Sequence, residues 1–267
     1  MLLCKDDYQT YLKLRNKDIS PNWNIQYSTI NDVYDAVTPN KFGIKLEIKV
    51  DNTFDVNTTP QYQSTMLWYH SLAWLRIIYN QYQDYNFVNK YIDNYYEFIK
   101  SKKCEDIFDT LTSRDHLVAE QIRNLTYLLL QPDEEITSKD KITKILPYLI
   151  NWSILPGNIA NNNHGMMLAS ALLHVPLFLD MPFKKRNKLV KLASKRLVEI
   201  LNGAFDSSGL CNENTHSYHK FYIKFLVQQI FELRFLSKYE AHYLSLMDDL
   251  SKILDVAKKN LEFSCST

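Results

Sequence analysis

Between residues 62 and 261, the chain is a succession of segments whose apolar residues recur every three or four positions. This spacing is typical of helices that bury one side. The connectors are mostly short, so consecutive helices are expected to run antiparallel. The sequence therefore predicts an all-α fold of antiparallel helical hairpins packed in series, either as a bundle or as an α/α toroid. The predicted helices are 62–82, 87–100, 114–130, 139–152 (interrupted by Pro147), 162–179, 184–201 (closed by Gly203), 216–236 and 239–261.

One segment near the N-terminus has a different period. Apolar and charged residues alternate from Ile44 to Val50, which predicts a half-buried strand or an extended arm. No linker or shift in composition divides the helices that follow. We therefore assign residues 1–60 to an N-terminal arm with a short helix and a strand, and residues 61–267 to one helical domain.

Composition excludes several classes of partner. The formal net charge is +1, which argues against binding to a nucleic acid backbone. The chain has 5 glycines, too few to favour a glycine-rich phosphate loop. No stretch approaches the roughly 18 apolar residues of a membrane span. The 18 tyrosines fit ordinary packing, and they also fit a cleft in which sugar rings stack on aromatic faces.

The four cysteines, Cys4, Cys104, Cys211 and Cys265, are widely separated and form no CxxC pair. The sequence therefore predicts no disulfide framework, no metal site and no cofactor. The first residues, MLLCKDDYQTY, lack the apolar region of a secretory signal. The chain as written is thus expected to stay in the cytoplasm.

Three asparagines and a histidine lead into the helix predicted at 162–179, in the stretch NNNHGMMLASALLH. Asparagine is a good N-cap, so one of the three is explained as the residue that accepts the first helical N–H groups. Three exceed that need. Either the surplus is solvated, or Asn163 and His164 face a ligand.

A second polar cluster, DSSGLCNENTHSYHKFY, precedes the helix predicted at 216–236. It contains Glu213, His216, Tyr218 and His219, and it follows the first cluster by about 55 positions. In a ring of helical hairpins, residues at the entrances of successive inner helices converge on one rim. We therefore expect the two clusters to share a cleft.

Together, the two clusters resemble the toroid domain of the heparinase II/III-like and alginate lyase-like polysaccharide lyases. In that family an Asn-His-Gly stretch opens one helix, and a Gly-x-x-x-Glu-Asn-Ser-Pro-x-Tyr-His stretch opens a later one. Here the first motif is Asn163-His164-Gly165, and the second runs from Gly209 to His219. The similarity extends weakly upstream through SLAWLRIIY and SRDHLVAEQIRNL, and it covers about residues 40 to 240.

The resemblance implies cleavage of an acidic, uronate-containing glycan by β-elimination. A base removes the C5 proton, and hydrogen-bond donors stabilise the charge that develops on the carboxylate. By this resemblance, Asn163 and His164 are the donors, and Tyr218 protonates the leaving oxygen. A phenol can donate a proton at neutral pH. Arg123, Glu213, His216 and His219 are the expected substrate-binding residues.

The sequence departs from the family pattern at three points. His216 stands where the family has proline, and Thr215 stands where it has serine. The β-sandwich domain that follows the toroid in family members, which are often periplasmic or secreted, is not expected in this chain. The base is then His164, His219 or Tyr218, or it comes from another chain, or the protein does not catalyse.

Several of these residues also have ordinary structural explanations. Arg123 is explained first as an ion-pair partner within its helix and only second as a ligand of the substrate carboxylate, whereas Glu213 is equally a favourable charge at a helix start. His70, His116, His174 and His242 have no partner spacing, and we assign them structural roles.

Two alternatives to a lyase remain open: a non-catalytic protein that binds or assembles glycans, and a truncated remnant of a lyase. The aromatic and apolar residues of the last two helices are expected to form a core stripe. The alternative is that part of the stripe mediates self-association, or binds a partner chain, in place of the lid domain. The residues concerned are Phe221, Phe225, Phe231, Phe235, Leu244, Leu250 and Leu254.

Overall fold

The computed structural model describes residues 24–28, 33–37, 45–49, 63–213 and 216–264. Most of this part of the chain is helical, in agreement with the predicted fold class. The helices are α1 (Gln63–His70), α2 (Ala73–Ile77), α3 (Tyr85–Ile99), α4 (Lys102–Phe108), α5 (Arg114–Leu129), α6 (Lys139–Ser153), α7 (Asn163–His174), α8 (Phe183–Ala204), α9 (His216–Leu236) and α10 (His242–Ser264). A π-helical turn, Ile78–Tyr82, follows α2, and a 3-10 turn, Val175–Leu177, follows α7.

Three short strands precede the helices. They are β1 (Asn24–Ser28), β2 (Val33–Val37) and β3 (Lys45–Lys49). The strands form an antiparallel sheet in the order β1-β2-β3. Strand β3 lies within the segment whose alternation predicts a strand. Strands β1 and β2 also belong to the predicted N-terminal arm, whereas the short helix expected there lies outside the described residues.

The described helices fall into two compact units, with the boundary between Asn158 and Ile159. The first unit contains the sheet and helices α1 to α6, and the second contains α7 to α10. The domain predicted for residues 61–267 includes the described helices of both units.

In the first unit, the first helices of two successive hairpins run parallel to each other, and so do their second helices. The His70 carbonyl accepts a hydrogen bond from Gln121 Nε2 (3.0 Å). Further along both helices, Asn80 Oδ1 accepts a hydrogen bond from the Tyr127 hydroxyl (2.7 Å). Both partners advance together along the chain, so the α1–α2 segment and α5 are parallel. In the same way, Asn89 accepts from the Ser138 amide (3.0 Å), and Lys144 Nζ lies 5.8 Å from the Tyr96 ring, so α3 and α6 are parallel.

The second unit repeats this arrangement. Ser170 pairs with Gln229 (2.8 Å), and His174 pairs with Glu232 (3.1 Å), so α7 and α9 are parallel. Ser194 pairs with His242 (2.8 Å), and further along the same helices Asn202 and Lys252 line one groove, so α8 and α10 are parallel. Each unit is therefore a stack of two antiparallel hairpins.

The predicted helix 62–82 is wrong in its continuity. It breaks after His70, where Ser71 accepts from the Ala73 amide and Leu72 adopts a left-handed conformation (φ 62°). Leu72 is fully buried, so its packing offsets the backbone strain. Helix α4 was not predicted. It is preceded by the N-cap Ser101, whose hydroxyl accepts from the Cys104 amide.

Two predicted helix interruptions are also wrong. Helix α6 continues through Pro147, because the buried side of the helix, including Ile145 and Leu149, packs on both sides of the proline. Helix α8 does not end before Gly203 but runs to Ala204, where the chain turns into an isolated bridge between Phe205 and Cys211.

The aromatic stripe of the last two helices is divided by the packing of α9 against α10. Phe235, Leu250 and Leu254 are buried, Phe225 is half-buried, and Phe221, Phe231 and Leu244 are exposed. The buried residues are core, as predicted, and Leu250 and Leu254 are therefore not available for self-association. Among the described helices, none combines the length and apolarity required to cross a membrane.

Candidate functional site

The three asparagines at the start of α7 have three different environments. Asn162 is the N-cap, and its Oδ1 accepts from the amides of His164 (3.0 Å) and Gly165 (3.1 Å). Asn161 accepts from the Arg196 guanidinium of α8. Asn163 is the first helical residue and is half-buried, and its side chain has no hydrogen-bond partner in the described part of the chain. Two of the three asparagines thus have local structural roles, and Asn163 has none.

Gly165 of the same motif is required by a close approach of the backbone. A Cβ at this position would lie 1.9 Å from the carbonyl oxygen of Ala160. Arg196 holds the same segment by donating to the Ile159 carbonyl (2.8 Å). The segment before α7 therefore passes directly over the first turn of the helix, which fixes where Asn163 and His164 begin.

The second cluster is largely a self-organised loop. The Asp206 carboxylate accepts from the Ser208 hydroxyl (2.6 Å), the Ser208 amide (2.8 Å) and the Leu210 amide (3.0 Å). These bonds, led by that from the Ser208 hydroxyl, lower the pKa of Asp206. Gly209 has a φ of 81°, and a Cβ there would lie 2.2 Å from the Val256 carbonyl oxygen. The polar residues from Asp206 to Gly209 thus shape the loop and seat it on α10.

Glu213 is bonded to a tyrosine that sequence reasoning missed. Tyr222, buried on α9, donates its hydroxyl to Glu213 Oε1 (2.7 Å). Burial and this carboxylate raise the pKa of Tyr222. Glu213, unlike Tyr222, is exposed. The hydrogen bond between them therefore links the loop to α9 at the protein surface.

Tyr218 and His219 are adjacent in sequence but differ in environment. Tyr218 is 38% exposed and meets the Phe221 ring edge-on at 6.4 Å, whereas His219 is 6% exposed and meets the Phe205 ring edge-on at 5.7 Å. Successive helical residues are about 100° apart, which explains the divergence. His216 is the first residue of α9.

The parallel register of α7 and α9 relates Asn163 to Tyr218. The two helices meet at the Ser170–Gln229 hydrogen bond. Asn163 precedes Ser170 by seven residues, and Tyr218 precedes Gln229 by eleven. At about 100° per residue, these separations are close to two and three full turns, so each residue lies within about 20° of the side of its helix that makes the contact. The corresponding axial distances are about 10 Å and about 16 Å, at 1.5 Å per residue. Asn163 and Tyr218 are therefore at the same end of the unit and on facing sides of neighbouring helices.

His164 follows Asn163 and is half-buried at the same end of α7. Arg123, by contrast, is in the first unit, on α5. It pairs with Glu120 (3.1 Å), and the two side chains are 18% and 15% exposed. The structural role that the sequence allows for Arg123 is thus present.

A buried polar pair lies deeper between α7 and α9. His174 Nε2 is 3.1 Å from Glu232 Oε2, with the side chains 5% and 1% exposed. Gln228 donates to the other oxygen of Glu232 (3.1 Å), and the Ser170 and Gln229 bond lies one turn away. The sequence alone indicates only a structural role for His174 and gives no partner for it. The available signal was polar residues spaced four apart on α7 and three apart on α9, within otherwise apolar stretches.

Within residues 63–213 and 216–264, no group of three or more His, Cys, Asp or Glu side chains is placed to hold a metal ion. No protein-family model matches the chain, and neither a curated protein nor a solved structure is significantly similar to it.

Proposed function

We propose that this chain is a polysaccharide lyase of the heparinase II/III-like and alginate lyase-like type, acting on an acidic, uronate-containing glycan by β-elimination. One observation carries the proposal: the α7–α9 register puts Asn163 and Tyr218 at the same end of the unit and on facing sides. These are the residues that the two sequence motifs assign to the reaction.

In the proposed mechanism, Asn163 and one ring N–H of His164 donate hydrogen bonds to the substrate carboxylate, and the C5 proton passes to the other ring nitrogen of His164. They lie in the first turn of α7, where the helix dipole favours negative charge. Asn163 is suited to this role because its side chain has no hydrogen-bond partner among the described residues. By contrast, Asn161 accepts a hydrogen bond from Arg196, and Asn162 accepts two from backbone amides.

Tyr218 is the proposed proton donor to the leaving oxygen. The side chain is 38% exposed at the end of α9, although it lies on the face that is buried further along the helix. A phenol in this position is accessible to a glycan that lies across the ends of α7 and α9. Glu213 is proposed to bind the sugar next to it, and the substrate-binding role expected of His216 stays a prediction, because its side chain lies outside the described part of the structure. His219, which is buried, supports the start of α9 from inside.

We also propose that the two units belong to an α/α toroid. A toroid repeats one step, in which each hairpin packs on the next with inner helices parallel to inner helices and outer to outer. This step occurs within each unit, between the α1–α2 segment and α5, and between α7 and α9.

A second candidate is a protein that binds the glycan without cleaving it. It is favoured by the environment of two polar residues near Tyr218: His219 is buried against Phe205, and Glu213 is bonded to Tyr222. Neither is then in a position to remove the C5 proton, which leaves His164 and Tyr218 to perform both proton transfers.

The deciding experiment is incubation of the protein with alginate, heparan-type and chondroitin-type chains, monitored by the ultraviolet absorbance of the unsaturated uronate product. We expect Tyr218→Phe to lower the rate by at least about 100-fold, since a general acid contributes about 10² to 10⁴. Tyr82→Phe is the matched control, because Tyr82 is 37% exposed and is in the other unit. Binding without absorbance on every uronate would favour the second candidate, and full activity of Tyr218→Phe would exclude Tyr218 as the acid.

A further inference from the structure

The exposed side of α8 carries a row of lysines. Lys184, Lys188, Lys191 and Lys195 are all exposed, and they follow one another at spacings of four, three and four residues. At about 100° per residue, this spacing keeps the four side chains within an arc of about 60°. From the first to the last, the row extends for about 16 Å along the helix axis, at about 1.5 Å per residue. These four residues form what we call the lysine line.

The charge of the lysine line is not balanced within its own helix. Helix α8 contains five lysines and two arginines but one acidic residue, Glu199, which lies 3.7 Å from Lys195. The other three lysines of the line form no ion pair in the part of the chain that the structure describes. Like charges three and four residues apart destabilise a helix. Since the formal net charge of the chain is +1, this face concentrates positive charge that the fold itself does not require.

The two arginines of α8 are used differently from the lysines. Arg186 pairs with Glu240, and Arg196 pairs with Glu199 (2.8 Å) and donates to the Ile159 carbonyl (2.8 Å). Both arginines are half-buried. Arginine suits bidentate recognition of individual carboxylates, whereas lysine acts as a hydrated point charge. The cations that face outward are therefore suited to attraction by a charged surface rather than to recognition of one carboxylate.

An exposed aromatic ring stands at the start of the same helix. Phe183, the first residue of α8, is 74% exposed, which is the highest exposure of any large apolar side chain among the described residues. Lys184 and Lys185 follow it directly, and both are exposed. A phenylalanine beside several lysines is typical of segments that bind at the lipid headgroup layer, where the ring enters the apolar boundary and the ammonium groups stay among the headgroups.

We propose that the lysine line and Phe183 bind α8 to the surface of an anionic lipid membrane, with the helix axis parallel to the membrane plane. A helix that lies on a plane touches it along one line parallel to its axis, so the four lysines reach the headgroups together. Clusters of about four to eight basic residues on a helix are typical of segments that bind anionic lipids. A second copy of this face would bring lysines against lysines, which disfavours self-association there. The proposal is independent of the lyase, because none of its residues belongs to the proposed site.

The test is flotation of the full chain with two kinds of vesicle, one of phosphatidylcholine alone and one of phosphatidylcholine and phosphatidylserine in equal parts. We expect the chain to bind the anionic vesicles at least about tenfold more tightly than the neutral ones. The affinity should fall as salt is added, because salt screens exposed charges. Equal binding to both kinds of vesicle, or binding to neither, would overturn the proposal.

Lys188→Gln combined with Lys191→Gln should weaken binding to the anionic vesicles about 25-fold, at about fivefold for each lysine. The matched control is Lys258→Gln combined with Lys259→Gln. It removes the same charge from exposed positions on α10, about 24 Å along that helix beyond His242, where α10 meets α8. Circular dichroism verifies that both variants are folded. Equal losses of affinity in the two double variants would show that net charge alone attracts the chain, and would overturn the role of the lysine line.

Phe183→Ser should weaken vesicle binding about tenfold without changing its salt dependence, because the ring contributes through burial and not through charge. Phe231→Ser is the matched control, since Phe231 is 60% exposed on α9, and it should leave the affinity unchanged. Equal affinity of the two variants would overturn the role of Phe183.

An acidic glycan is the competing counterpart of the lysine line, and soluble alginate is the probe for it. Alginate that binds with the same dependence on Lys188 and Lys191, while the anionic vesicles do not bind, would overturn the membrane proposal and assign the line to the glycan. Vesicle binding that depends on both these lysines and Phe183 would support the proposal, whether or not the protein generates the ultraviolet signal of a lyase.

Discussion

Replacement of Gly165 by alanine tests whether the start of α7 is fixed by the segment that passes over it. The added Cβ would lie 1.9 Å from the Ala160 carbonyl oxygen, 2.7 Å from its carbonyl carbon and 2.8 Å from its nitrogen. All three are backbone atoms, so no side chain can rotate to relieve the contact. The segment cannot move away freely, because Arg196 binds both the Ile159 carbonyl and Asn161.

The magnitude follows from two opposing terms. Overpacking in a well-packed region costs about 1 to 3 kcal/mol, and occasionally more. Alanine gains about 0.5 to 1 kcal/mol over glycine within a helix. Since the clash is with backbone, we expect the upper part of the first range and a net loss of about 2 kcal/mol.

Gly203→Ala is the matched control. Gly203 also lies within a helix, α8, but a Cβ there meets no atom within 4 Å. This variant should be more stable than the parent by about 0.5 to 1 kcal/mol. The assay is urea unfolding followed by circular dichroism, with equal denaturant slopes as the condition for comparison. If the two variants had the same stability, the close approach at Ala160 would not constrain the start of α7.

Three further predictions concern stability. Asn162→Ala should cost about 1 kcal/mol of unfolding free energy because it removes the N-cap of α7, whereas Asn163→Ala should cost less than about 0.5 kcal/mol, and equal losses would contradict the assignment of the cap. Glu232→Ala should destabilise by about 1 to 3 kcal/mol because it removes the carboxylate that faces the buried His174 ring, and a loss below about 1 kcal/mol in thermal and urea unfolding would show that the pair is not maintained. Burial lowers the pKa of His70 from 6.5 to about 3, so below pH 6.5 the unfolded chain binds a proton that the folded chain does not. The free energy of unfolding should therefore decrease as the pH is lowered, by about 2 kcal/mol at pH 5, and His70→Phe should remove this part of its pH dependence. If urea unfolding between pH 7 and pH 5 showed the same pH dependence in the variant, the prediction would be refuted.

The sequence predicted most helices of this chain because their signals are local. Apolar spacing identified the segments that became α3, α5 and α9, and a polar N-cap was expected among the asparagines before α7. It did not predict the break at Leu72, because a left-handed leucine is tolerated only where packing compensates for the strain. The sequence predicted a helix interruption at Pro147 and a helix end before Gly203, but the helix continues through both positions.

For the candidate site residues too, the sequence predicts their position along the chain, and the packing decides their environment. That Asn162, Asn163 and His164 stand at a helix start follows from the sequence. Which asparagine is the cap depends on the exact residue at which the helix starts, and local propensity does not fix that position to within one residue. The structure makes Asn162 the cap and leaves the Asn163 side chain without a capping role. Similarly, Tyr218 and His219 lie together in the sequence, and only the packing of α9 against Phe205 decides that His219 is buried and Tyr218 accessible.

The sequence alone determined that this chain is helical, that its helices form hairpins, and that two polar clusters precede two of them, because helical periodicity, caps and short connectors are properties of neighbouring residues. Only the tertiary structure decided that α7 and α9 run parallel, with Asn163 and Tyr218 on facing sides, and that His174 meets Glu232 in the core. These relations join residues that are more than 50 positions apart. They depend on which apolar faces pack together, and many pairings of amphipathic helices satisfy the same pattern.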